Sequence, residues 1–273
     1  ISNYQGRALK LADGASYNTV SASTMIANGS SFEEHALMIT GSTGNMITRS
    51  FIYAPHNIAV SISSGAILNI IDQSFVSVAA ADGISALTIL NASSNTIRLS
   101  TMTSAATTTI YAAMNILAGS SYNVITQSYI SNSFGRVGSI ADGADYNTIS
   151  LSTLTTNSTT ALIPTIRVRG SGNTLTGDFI YNLGSPGAVA VGLNNPSPNT
   201  KVTRTYMYSL TSAAITFNGS NYSTLSLSTA VSNSASGSLA ALHFVTGSSN
   251  NVITQSYFSN PAGPAVKFES GTA

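Results

Sequence analysis

The chain has 273 residues, with Lys+Arg 10 against Asp+Glu 9 and a net charge of +1; charged residues are 7% of it, against roughly 25% in ordinary globular domains. That balance speaks against electrostatic capture of nucleic acid or of an anionic membrane surface, and the absence of cysteine excludes disulfides, thiolate metal sites and Cys nucleophiles together. Hydrophobic residues at 43% are enough for a core, no apolar run approaches the ~18 residues of a membrane span, and Ser, Thr, Asn and Gln must wet the surface.

From the N-terminus onward, one phase recurs. It falls at Asn18, Asn45, Asn69, Asn95, Asn123, Asn147, Asn173, Thr200, Ser223 and Asn251, a mean step of about 26 residues, which lies in the solenoid range. Two residues on stands an aliphatic column, Val20, Ile47, Ile71, Ile97, Ile125, Ile149, Leu175, Val202, Leu225 and Ile253. Five on stands a hydroxyl column broken once, by Asp178. A second strand precedes each turn, with apolar alternation at Leu9/Leu11, Leu37/Ile39, Val60/Ile62, Leu87/Ile89, Met114/Ile116, Ile166/Val168, Ile215/Phe217, Leu242/Phe244 and Val266/Phe268. Period two with β-branched enrichment predicts strands, and no 3.6 period intervenes to suggest helices. Gly four residues before the Asn supplies a turn, and the Asn is expected to adopt the left-handed conformation while its amide stacks on its neighbours. The Asn ladder is therefore Asn18, Asn45, Asn69, Asn95, Asn123, Asn147, Asn173 and Asn251.

A longer period overlies the coil. The stretch from Ile1 to Gly14 matches Ile130 to Gly143 at an offset of 129, and Phe258-Ser-Asn-Pro-Ala-Gly restates it at an offset of 128. The chain thus reads as a single domain, 1–273, holding superrepeats 1–129 and 130–257 of five coils each and the start of a third, 258–273. Neither end shows a capping-helix pattern, and the sequence as given opens at Ile1 without a signal-peptide pattern. The expectation is a slice of a longer repetitive rod, or a subunit whose ends are covered by its neighbours.

Asn-x-Ile-x-x-Ser-x-Ile repeated in this way resembles the right-handed parallel β-helix repeat family, whose superfamily includes pectate-lyase-like enzymes, phage tailspikes and bacterial surface adhesins. The resemblance covers the whole chain and implies an all-β solenoid of about ten coils. It does not choose among many functions.

Few residues suggest chemistry. Glu33-Glu34-His35 is the densest ionisable cluster, and a solvated loop is the plain reading of it. Asp142 and Asp145 supply two carboxylates where calcium takes six or more oxygens. Asp72 and Arg98 share a phase in successive coils, which predicts an exposed ion pair. Asp178, if its column faces inward, must be bonded by Ser152 and Thr205 or have its pKa raised. His56 and His243 stand isolated. Six residues after the phase comes an outward column with Phe51, Phe75, Tyr129, Phe179, Tyr206 and Tyr257, a candidate surface for a neighbouring rod or for sugar rings.

No catalytic set, metal site or cofactor emerges. The expectation is a non-catalytic stalk, adhesin or fibre module of a bacterial cell-surface or extracellular protein. Its partners would be further copies of itself, end to end or side by side, or its own continuation. The alternative is a carbohydrate-binding or polysaccharide-degrading β-helix, with no nucleic-acid partner and no membrane insertion in either case.

Overall fold

The computed structural model describes all residues except 4–5, 30–33, 80–83, 106–111, 159–161, 185–186, 237–238 and 272–273. The described residues form a parallel β-solenoid with no helix. Its three sheets have 11, 11 and 10 strands, each strand between the two ends bonded to its counterpart one coil before and one coil after. We call them sheet A (strands such as Phe75–Val78), sheet B (such as Leu87–Leu90) and sheet C (such as Thr96–Arg98).

Each coil has three strands where the periodicity predicts two. The segment after the ladder Asn divides because the residue four beyond it has a positive φ in every coil, from Ala22 (φ 47), Arg49 (φ 49), Gln73 (φ 47) and Leu99 (φ 51) to Gln255 (φ 47). This left-handed residue bends sheet C into sheet A. The other corner also differs from expectation: the residue before the Asn is left-handed, as at Tyr17 (φ 59), Tyr122 (φ 58) and Tyr146 (φ 56), and the ladder asparagines are not.

At both corners some backbone N–H groups bond to side-chain acceptors of the next coil where strands bond to carbonyls. The ladder supplies them. Asn69 donates its backbone N–H and its Nδ2–H to Asn95 Oδ1, both at 3.0 Å, and Asn95 does the same to Asn123 at 3.0 and 3.1 Å. The hydroxyl column repeats the device: Ser74 N–H donates to Ser100 Oγ at 3.1 Å, while Ser74 Oγ donates to the carbonyl of Asp72 at 2.8 Å. Between corners the inward positions are buried: in sheets B and C they are mostly apolar, as at Leu87, Ile89 and Ile97, whereas in sheet A an apolar residue such as Met102 or Ile130 is followed by a buried polar one, as at Ser104 and Asn132. Gly138/Ile140 and Val191/Leu193, which the sequence reading passed over, occupy the same inward rungs of sheet B. The largest fully buried side chain is Phe217, whose ring stacks on Phe244 at 4.8 Å.

Candidate functional site

Strand alternation puts every second residue of sheet B on the outside of the solenoid. Register aligns one such column as Met38, Ser61, Thr88, Asn115, Ser139 and Arg167. Outward residues are normally wet. Ser61, Thr88, Asn115 and Ser139 are buried instead, and they form the floor of a cleft of about 450 Å³. Ile58, Ile84, Leu90 and Leu117 add apolar lining, and Arg167 and Arg169 also line it. On the floor, Asn115 Nδ2 donates to Ser85 Oγ at 2.7 Å, and Thr88 Oγ1 has no hydrogen-bond partner. A second cavity of about 250 Å³ is lined by Arg136, Pro164, Val189, Asn194 and Thr216, and Arg167 borders both.

Three arginines meet at this junction. Arg136 is buried, and its guanidinium is pushed down to about 10 by desolvation first and by the charges of Arg167 and Arg169 second. Arg167 is also lowered, by burial and then by Arg169, with Asp142 opposing. Asp142 lies 3.2 Å from Arg169 Nε, close enough for an ion pair but without hydrogen-bond geometry. A ligand entering the cleft would thus find hydroxyls, an amide, aliphatic walls and a cationic end.

The other candidates are dispersed. The column Phe51, Phe75, Tyr129, Phe179, Tyr206 and Tyr257 runs along the outside of sheet A, interleaved with Thr24, Thr101, Thr153 and Thr229. Phe51 stacks on Phe75 at 5.5 Å with planes 2° apart, and Phe179 meets Tyr206 at 6.3 Å. A second exposed aromatic line, absent from the sequence reading, holds Tyr17, Tyr122, Tyr146 and Tyr222 just before the ladder position; Tyr122 and Tyr146 stack at 5.3 Å. The recurring Ser-Tyr-Asn at 16–18 and 121–123 was its signal.

Asp72 and Arg98 pair at 2.8 Å, yet the Asp72 side chain is buried and also accepts from Thr48 Oγ1 at 3.2 Å, so the pair is not the exposed one expected. His243 is not isolated: its Nε2 lies 2.9 Å from Glu269 Oε1. Asp145 accepts the backbone N–H of Ser171 at 2.7 Å. Asp178 is buried in the hydroxyl column. Its Oδ1 accepts the N–H of Ser152 at 2.8 Å, its Oδ2 has no partner, and burial pushes the carboxyl up to about 7 against those backbone bonds. Glu33 lies outside the described residues. Among them, no three His, Asp or Glu side chains come together as a metal site would require.

No family model matches the chain, and no curated protein does. Solved structures match its fold. The ORF18 protein of Geobacillus virus E2 has a TM-score of 0.64 at 10% identity, over 98% of this chain and 53% of that one. The Dettilon tailspike protein has 0.62 at 12%, over 98% and 58%. DFA-IIIase from Arthrobacter chlorophenolicus A6, in complex with GF2, has 0.50 at 12%, over 86% and 54%. The chain therefore spans just over half the length of these structures. The likeness is one of fold, and it overturns the expectation that this chain is not an enzyme. The same solenoid carries an enzyme as well as a tailspike, so the repeat does not exclude catalysis.

Proposed function

We propose that the chain is a carbohydrate-binding β-helix, of an extracellular or surface-exposed protein, that holds a polysaccharide along the cleft on sheet B. The sunken polar column carries this reading: Ser61, Thr88, Asn115 and Ser139 repeat at the strand spacing, roughly 4.8 Å, and so offer a periodic ligand the same groups at successive positions. Sugar hydroxyls would exchange water for these donors and acceptors, and the less polar ring faces would lie against Leu90 and Leu117. The fold's occurrence in a tailspike and in DFA-IIIase supports the choice of ligand class. Whether bound glycan is also cleaved is decided by assay.

The test incubates the whole chain with a panel of neutral and acidic polysaccharides, following retention by affinity electrophoresis and new chain ends by reducing-sugar and ultraviolet assays. Retention by at least one polysaccharide, lost on Asn115→Ala and kept on Phe75→Ser, is expected. No retention by any, or equal loss in both variants, would sink the assignment to this cleft. New chain ends that disappear with the same variant would make the chain a hydrolase or lyase.

A further inference from the structure

We propose that Arg136, Arg167 and Arg169 form an oxyanion subsite at one end of the cleft, so that the glycan it holds carries negatively charged substituents. This deepens the reading above and rests on it for the glycan, though not for the anion.

The cluster is unusual in a chain this poor in charge. Arg167 and Arg169 alternate on one outward face of a sheet B strand, Ile166–Val168 and the residue after it, and Arg136 opens the preceding strand, Arg136–Ile140. Arg136 is 6% exposed, yet its Nε and Nη1 have no hydrogen-bond partner, and neither has Arg167 Nε. A guanidinium presents five donors in a planar fork, and leaving buried donors unmade is costly. Among the described residues the carboxylate at the cluster is Asp142, which pairs with Arg169 and has a half-exposed side chain, so positive charge remains in excess at the buried end. Mutual repulsion of the three cations adds to that cost. A protein can hold such an arrangement when an incoming anion repays it, because planar two-oxygen groups match the guanidinium fork and charge-assisted bonds strengthen away from water.

Space is present as well. Arg136 and Arg167 both line the cavity of about 250 Å³. The register partner of Arg167 on the next strand is Gly192, which places no side chain beside the guanidinium. Arg167 also faces the larger cleft, so a chain lying along Ser61 to Ser139 would bring a substituent to it at the end of that column. Carboxylate, sulfate and phosphate esters share the required chemistry, and the experiment separates them.

Whole chain would be titrated calorimetrically at low and moderate salt with a neutral oligoglucan, an oligouronate, a sulfated oligosaccharide, and free glucuronate, sulfate and phosphate. The same titrations would follow for Arg167→Gln and Arg169→Gln, with folding checked by circular dichroism. One or more anionic oligosaccharides should bind at least tenfold more tightly than the neutral one, and Arg167→Gln should weaken anionic binding at least tenfold more than neutral binding. Equal affinity for neutral and anionic oligosaccharides, or equal losses for both in Arg167→Gln, overturns the subsite and leaves the cleft. Binding of a free anion that Arg167→Gln abolishes, without binding of any oligosaccharide, keeps the subsite and overturns the glycan cleft. No binding of any anion overturns the subsite.

Discussion

Sheets A and B are built from the same coils, with the same parallel register, the same spacing and a buried inner face, and their outer faces differ in kind. On sheet A the outward residues are large and stand in solvent: Phe51, Phe75, Tyr129 and Phe179 are exposed. On sheet B the outward residues are small or amide-bearing and lie sunk, from Ser61 to Ser139. The alternation that makes a strand does not set the chemistry of its face. Side-chain size, and what stands on either side of the column, decide whether a row of outward residues becomes a ridge or the floor of a groove. One face can stack with flat apolar surfaces, and the other can enclose a ligand.

If this contrast is confined to the outer faces, the shared interior should fail alike beneath both. Phe217→Ala removes a fully buried ring stacked between coils, and a loss of about 3–5 kcal/mol is expected, read as a lowered midpoint in denaturant. A smaller loss, below about 1 kcal/mol, would mean that the interior repacks and does not act as a common frame. Asn123→Ala attacks the frame at its corner. It deletes an Oδ1 that accepts two hydrogen bonds from Asn95 and an Nδ2 that donates to Asn147 Oδ1 and to the Ala92 carbonyl, all while buried. Orphaning these groups should cost about 2–4 kcal/mol, whereas the same change at the exposed Asn18 should cost about half as much or less.

The frame was the legible part of the sequence. Ladder asparagines, aliphatic partners and inward hydroxyls fall in columns because each contacts its own counterpart one coil away, so one physical requirement is written about ten times. The third strand was not legible, because the bend after sheet C is made by Ala22, Arg49, Gln73 and Leu99, residues that carry no mark of a left-handed conformation. The sunken column was hidden for another reason. Ser61, Thr88 and Ser139 look like any outward polar positions, and their burial depends on neighbouring columns and loops. Arg136 and Arg167 do not share a phase, since the register partner of Arg167 is Ser139, so column reading could not bring them together.

Asp178 sharpens the comparison by testing the interior through pH. Its folded carboxyl is raised from 3.8 to about 7, so the buried group favours its proton. The penalty is absent below the ordinary carboxylate range, grows as pH rises through it, and is complete above about 7. Stability should therefore fall on the order of 2 kcal/mol between about pH 5 and pH 8. Asp178→Ser restores the hydroxyl that every neighbouring coil uses, and it should flatten this dependence and raise the midpoint at pH 8. An unchanged pH profile in the variant would show that another group carries the titration.

The smallest expected effect bears most directly on the two faces. Phe75 lies on the outside of sheet A, its ring stacked on Phe51 at 5.5 Å, with Thr101 as its register partner on the other side. Phe75→Ser removes one exposed aromatic contact and should cost about 0.5–1.5 kcal/mol, because such pairs contribute little beyond the area they cover. It leaves the corner ladders, the inward rungs and the sheet B cleft untouched. Glycan retention should then be unchanged while thermal stability drops slightly. Loss of retention with Phe75→Ser and its persistence with Asn115→Ala would move the binding surface from the groove to the ridge, and the sunken column would then be structural packing that happens to face outward.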